Sequence, residues 1–362
     1  MSGVELTIGG RPVGRRHRPF IVAELSANHN ASLDRALQIV RAAAECGAHA
    51  IKLQTYTPET LTIDSNRPEF FIDDPESLWY GRRLWELYRD AYTPWEWHEP
   101  IFAAARAAGL ACISTACDLN SLEFLVTLEI DAIKIASFEL VHIPLIAAAA
   151  KCGRPVLLSA GMSTLEELDE AASTLRSNGC EEFVLLKCTS AYPSRESDAN
   201  ILTMQDMHAR YACEVGLSDH SLSPYAAFAA TSFGAAVIEK HFTLERRDGG
   251  LDAAFSLEPS ELRDIVRGTK LVWRSLGGVH YGPLAVERAS VNERPSIYVV
   301  RAMKRGDIFS DQNMRIIRPA KGLAPKYYGS ILGKRCASDI AAGVPLSWDS
   351  VESETSRTVT SG

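Results

Sequence analysis

The stretch FIVAELSANHNASLDRALQIVRAAAECGAHAIKLQ, Phe20 to Gln54, decides the fold. It begins and ends on short apolar runs of strand length, FIVAE (20–24) and AIKLQ (50–54). Between them, SLDRALQIVRAAAEC spaces its apolar residues as an amphipathic helix does, opens on Ser32 as a cap and stops at Gly47. The stretch therefore predicts one strand–helix–strand unit. The turn after its first strand, LSANHN, contains no glycine. An open, doubly wound nucleotide-binding sheet would carry a glycine-rich turn at that point, so a different parallel architecture is implied.

The same alternation continues through LACIS (110–114), AIKIA (132–136), PVLLS (155–159), FVLLK (183–187), EVGLS (214–218) and AVIEKHF (236–242). Helical patterns such as TPWEWHEPIFAAARAAG and TLEELDEAASTLRSNG lie between them. Eight such units predict an α/β fold of the (β/α)8, or TIM, barrel type over 1–278. The leading VELTIGGRPVG reads as a hairpin closing the barrel bottom. Beyond 278 the strands shorten and turns crowd together. Residues 279–292 read as a linker, 293–352 as a small β-rich domain and 353–362 as a polar tail.

Composition narrows the function classes. The 362 residues are 46% hydrophobic with a formal charge of -7, which gives no general attraction for nucleic acid or an anionic membrane. An apolar run of transmembrane length is missing, and MSGVELTIGGRPVGRRHRPF lacks the apolar middle of a signal peptide, so a cytoplasmic protein is expected. The eight cysteines are scattered without a C-x-x-C pair and read as free thiols.

Barrel chemistry sits at the carboxyl ends of the strands, and here every strand end is polar. Glu24 ends the first, Lys52 and Gln54 lie on the second, and Ser114 and Thr115 end the third. Lys134, Ser137 and Glu139 follow on the fourth, Ser159 on the fifth, Lys187, Thr189 and Ser190 on the sixth. Ser218, Asp219 and His220 end the seventh, and Glu239 and His241 the eighth. Alternation points Lys52 with Gln54, and Glu239 with His241, into the barrel. Taken singly, a barrel lysine is as well explained by a buried ion pair and a histidine by an ordinary core hydrogen bond. Two lysines and several hydroxyls at one mouth imply a small substrate with several negative charges. His220 and His241, on adjacent strand ends, have the placement of a two-histidine metal site.

These motifs carry a resemblance over almost the whole chain. FIVAELSANHNASLDRAL, AIKLQTYTPETLT, IKIASFE, LLKCTSAYP, GLSDHSL, VIEKHFTL and IRPAKGL resemble the sialic acid synthase family. ELSANHN, DDPESLWYGRRLWELYRDAYTPWEWH and RRDGGLDAAFSLEP are similar to its pseudaminic acid branch. The resemblance implies condensation of phosphoenolpyruvate with an open-chain acetamido-hexose aldehyde, giving a nine-carbon 2-keto sugar acid and phosphate by C–O cleavage. The branch implies 2,4-diacetamido-2,4,6-trideoxy-L-altrose as the sugar. Legionaminic and N-acetylneuraminic acid synthases, or a related sugar acid synthase of a specialised pathway, are the alternatives, and a catalytically silent carbohydrate-binding protein is the reading from another class.

By the same resemblance, Lys52, Thr115, Lys134, Ser137, Ser159, Ser190 and Ser218 surround phosphoenolpyruvate. Glu24 handles the attacking water or the sugar hydroxyls, and Glu139, Glu239 and Asp252 lie on the sugar side. Gln54 is a further substrate-binding candidate on the face of Lys52. His220 and His241 would hold a divalent metal ion, manganese first, with magnesium or cobalt as alternatives. The small domain resembles the antifreeze-like, or SAF, domain, which implies a domain-swapped homodimer with Arg318 over the partner's site. STACD, SAGM and RPAKG depart from the family's usual S-T-P-F, S-T-G-M and R-P-G, which bears on substrate range.

Overall fold

A computed structural model describes residues 6–353. The polar tail expected from 353 falls, from residue 354 onward, outside the described residues. One compact unit ends at Gly277 and a second begins at Gly278.

The first unit is a closed parallel barrel. A hairpin of β1 (Thr7–Ile8) and β2 (Arg11–Pro12) precedes it. The barrel strands are β3 (Phe20–Glu24), β4 (Ala50–Thr55), β5 (Ala111–Ala116), β6 (Ala132–Ile135), β7 (Val156–Ser159), β8 (Phe183–Cys188), β9 (Glu214–Asp219) and β10 (Val237–His241). Each pairs with the next in chain order, and β10 returns to β3 with His241 opposite Glu24.

Alternation along the strands sorts their side chains into two layers. Ile21, Ala23, Ile51, Leu53, Ile133, Ile135, Leu217 and Ile238 face outward into the core shared with the helices. Each isoleucine or leucine so buried contributes roughly 1.5–3 kcal/mol relative to exposure. Phe20, Val22, Ile113, Leu157, Val184 and Val237 face inward and fill the lower barrel together with Leu6, Ile8 and Val13 of the hairpin region. At the turn of that hairpin, Gly9 has φ +55 and lies so close that a Cβ would come within 2.6 Å of the Ala111 Cβ. The apolar filling stops below the strand ends. Above it the inward positions are Glu24, Lys52, Gln54, Thr115, Lys134, Ser159, Ser218, Glu239 and His241.

Local signals set the helices. The Ser32 hydroxyl accepts from the Arg35 N–H at the start of Leu33–Cys46, and Gly47 ends that helix with φ 86. Thr164 and Glu167 form a reciprocal capping box at the start of Leu165–Ser177. The helix expected from Thr93 instead begins at His98, after a 3-10 turn over Trp95–Trp97. Pro94 precedes that turn, and a proline lacks the N–H that a continuous helix would use.

In the second unit, β11 (Ser296–Val299) and β12 (Met314–Ile317) pair antiparallel. Ile297, Val299, Met303, Phe309, Met314, Ile331, Cys336 and Leu346 form its core. The segment read as a plain linker is partly helical, with a 3-10 turn at Ala285–Glu287 and a short helix at Arg288–Val291.

Candidate active site

A cavity of about 990 Å³ opens at the carboxyl ends of the barrel strands. At its base, β3, β4, β6 and β10 bring four charged side chains together. The Lys52 Nζ lies 2.8 Å from Glu24 Oε1 and 3.1 Å from Glu239 Oε1, and the Lys134 Nζ lies 3.1 Å from the same Glu239 oxygen. Gln54 Nε2 donates to Glu24 Oε1 at 2.8 Å, the Ser218 hydroxyl to Glu239 at 3.0 Å, and Lys52 to the Thr115 hydroxyl at 3.4 Å.

This changes one expectation. Two buried lysines were read as requiring an anionic ligand, but Glu24 and Glu239 already neutralise them. Burial alone would raise the carboxyl pKa of Glu24; His241, Lys52 and Lys134 outweigh it and hold the group well below the usual carboxylate range. Lys52 is shifted upward, because Glu239 and Glu24 outweigh its desolvation. Two lysines thus face two carboxylates, and the tetrad is balanced. A substrate anion would exchange for internal carboxylates rather than fill a positive hole.

On the opposite side of the cavity, hydroxyls converge on Gly161. Its N–H donates to the Ser137 hydroxyl at 3.0 Å. A Cβ there would fall within 2.4 Å of the Ser190 hydroxyl and 2.7 Å of the Ser137 hydroxyl. Only a glycine leaves this cradle open. The Ser159 hydroxyl is buried with no protein partner, so it is a donor held ready for a ligand.

His220 and His241 face each other with ring centroids 5.3 Å apart. His220 Nδ1 donates to the Thr189 carbonyl at 2.8 Å, so that in the neutral ring Nε2 carries the lone pair. His241 Nε2 lies 3.1 Å from Glu24 Oε2, while its Nδ1 is buried without a partner. Burial drives the His241 pKa down to about 3 against the pull of Glu24, so its imidazole is neutral, the state a metal requires. Two facing imidazoles are donors that would suit a divalent ion. Among the described residues, no group of three or more His, Cys, Asp and Glu side chains has metal-binding geometry.

Of the remaining candidates, Glu139 and Asp252 line the cavity. Burial lifts the Glu139 pKa to about 7, with Lys134 opposing. Asp252 accepts from the Ser26 hydroxyl and, at 3.3 Å, from the Ala27 N–H. Lys187 is engaged beside the mouth, with the Cys188 carbonyl at 2.9 Å. Arg318 is exposed on the second unit, next to β12. His29, His49 and His98 are structural: each is buried and bonded within its own surroundings, as when the Ile21 N–H donates to His49 Nδ1 at 2.8 Å.

Sequence reasoning missed an aromatic wall. Tyr192 packs against His220 with centroids 4.4 Å apart, Phe255 against His241 at 4.8 Å, and the two wall rings meet at 5.0 Å. Trp79 closes the group at 5.9 Å from Tyr192, with its indole N–H on the Leu251 carbonyl at 3.3 Å. The available signals were LWYGRRLWE and SAYP, aromatics inside loops that follow strands.

Comparison with known proteins places the chain in a family. Residues 39–281 match the NeuB family and 294–352 match the SAF domain. Pseudaminic acid synthase of Campylobacter jejuni is 39% identical over 90% of this chain and 95% of its own. N,N'-diacetyllegionaminic acid synthase of Legionella pneumophila is 33% identical over 95% of this chain and 98% of its own. The solved N-acetylneuraminic acid synthetase of Leptospira borgpetersenii, 31% identical, superposes with a TM-score of 0.70 over 80% of this chain and 95% of that one. With the barrel, the strand-end site and these matches together, the chain belongs to the NeuB family and carries a SAF domain at its C-terminal end.

Proposed function

We propose that this enzyme condenses phosphoenolpyruvate with an acetamido-hexose aldehyde, and that it is a pseudaminic acid synthase acting on 2,4-diacetamido-2,4,6-trideoxy-L-altrose. The observation that carries the reaction is one cavity in which a balanced lysine–carboxylate tetrad faces both a hydroxyl cradle around Gly161 and a pair of neutralisable imidazoles. The higher identity to the pseudaminic acid synthase than to the legionaminic acid synthase favours the branch.

Lys52 and Lys134 supply cations for the substrate's carboxylate and phosphate, with Thr115, Ser137, Ser159, Ser190 and Ser218 as donors. A divalent ion held by His220 and His241, manganese before magnesium or cobalt, would supply Lewis-acid polarisation of the aldehyde oxygen. C3 of phosphoenolpyruvate bonds to the aldehyde carbon, and C2 becomes the electrophile that water captures before phosphate leaves with its bridging oxygen. Glu24, fully ionised, orients that water; Glu139, with a pKa near neutrality, is the carboxyl matched to moving a proton. Glu239 and Asp252 bind sugar hydroxyls.

The test is phosphate release from phosphoenolpyruvate across a panel of acetamido sugars in oxygen-18 water. The 2,4-diacetamido-6-deoxy aldehyde of the altrose series should turn over fastest, with label in the sugar acid. Label in phosphate, or preference for N-acetylmannosamine, would refute the mechanism or the branch respectively.

The working unit on this reading is a domain-swapped homodimer in the cytoplasm, with Arg318 reaching the acyl oxygen of the sugar in the partner's barrel. Arg318 is exposed beside Pro319, and the swapped arrangement gives it a role. Refolding Arg318→Ala chains with His241→Ala chains should restore activity, because one barrel of each heterodimer then has both groups. Heterodimers that form without recovery would exclude the swap.

A further inference from the structure

Between Glu239 and His241, β10 carries a second buried charge, which the reaction does not use. Lys240 points away from the cavity, with its side chain fully buried on the outer face of the barrel. Its Nζ lies 2.8 Å from Asp219 Oδ2 and donates to the Ser221 carbonyl. Asp219 in turn accepts from the Ser221 N–H through its other carboxylate oxygen at 2.9 Å. The residues on both sides of His220 are thus gripped by one ammonium group. Backbone register reinforces this, since Lys240 and Asp219 are partners in the β9–β10 ladder.

We propose that Lys240 is a positioning residue: it fixes the turn that carries His220, and through the shared strand it sets His220 relative to His241. The geometry leaves little else for it to do. A lone ion pair on the outer layer would need only the carboxylate, and an apolar pair of similar volume would serve stability as well or better. The added bond to the Ser221 carbonyl bridges the histidine itself. At the other end of the imidazole, the Thr189 carbonyl holds Nδ1, and the Ser194 N–H reaches the His220 carbonyl at 3.2 Å. With the turn fixed on one side and the ring on the other, Nε2 has one direction to face.

The consequence for metal binding rests on the two-imidazole reading, so the experiment has two readouts on the full chain. Histidine-ring nitrogen-15 spectra of metal-free protein report the tautomer, with the His220 signal identified by its loss in His220→Gln. Manganese titration followed by the spin-resonance signal of the free ion reports affinity. The wild type should show the proton of His220 on Nδ1. Lys240→Met, and the charge-free pair Lys240→Met with Asp219→Leu, should show a mixture of tautomers and bind manganese about 10–100-fold more weakly, the range for groups that orient ligands. The double variant should melt close to the wild type, which separates positioning from stability. Asp219→Asn preserves shape, weakens the clamp and decides the question should the others not fold. A folded variant with the wild-type tautomer and wild-type affinity overturns the proposal. If the wild type binds no manganese, the metal reading fails, and the tautomer alone judges Lys240.

Discussion

Replacing Lys52 by methionine is expected to lower stability by about 3–5 kcal/mol as well as abolish turnover. The ammonium touches both Glu24 and Glu239 in a fully enclosed position, so its removal leaves Glu239 with Lys134 and Glu24 with no ammonium in contact. For a unit of this size the loss corresponds to a fall in melting temperature on the order of 10 °C. A second substitution, Glu24→Gln, removes the surplus negative charge and should recover most of the stability while activity stays absent. Thermal melts of the single and double variants check this. A single variant as stable as the wild type would mean that the tetrad is not the balanced unit described.

His241→Ala is expected to reduce turnover at least about a hundredfold, because it removes one of two imidazoles from the proposed metal site and frees Glu24 from its contact. The melting temperature should change far less than in Lys52→Met, since a neutral ring is deleted and no charge is orphaned. Chelator treatment should bring the wild type down toward the variant and leave the variant unaffected. Near-normal turnover of His241→Ala after chelation would remove the metal from the mechanism.

Much of this was legible because strand alternation is a strict code. Once FIVAE and AIKLQ are strands, Glu24 and Lys52 must share the inner face, and the structure places them there. Alternation in AVIEKHF puts Lys240 on the face opposite Glu239, but its partner, Asp219, lies on another strand and needed the ladder register. The neutral tetrad was hidden for the same reason: Glu24 and Glu239 become neighbours of one lysine only when the barrel closes. The aromatic wall left no periodic trace, since Trp79, Tyr192 and Phe255 come from three separate loops. The close approach of Gly161 to the Ser137 and Ser190 hydroxyls depends on three separate segments and leaves no local signal in SAGM.

Closure of β10 on β3 has a consequence for how the chain acquires its structure. The strand that completes the ring is also the strand that delivers Glu239, so a growing chain holds Lys52 and Lys134 with half of their eventual counter-charge until the last unit arrives. Early collapse of the first units would bury an uncompensated ammonium, which is costly. The inner layer should therefore stay hydrated and loosely packed during synthesis, and final drying of the barrel should coincide with docking of its last strand. Slow, late commitment is the ordinary fate of pairings between distant segments, and here the charges give the intermediate a reason to wait.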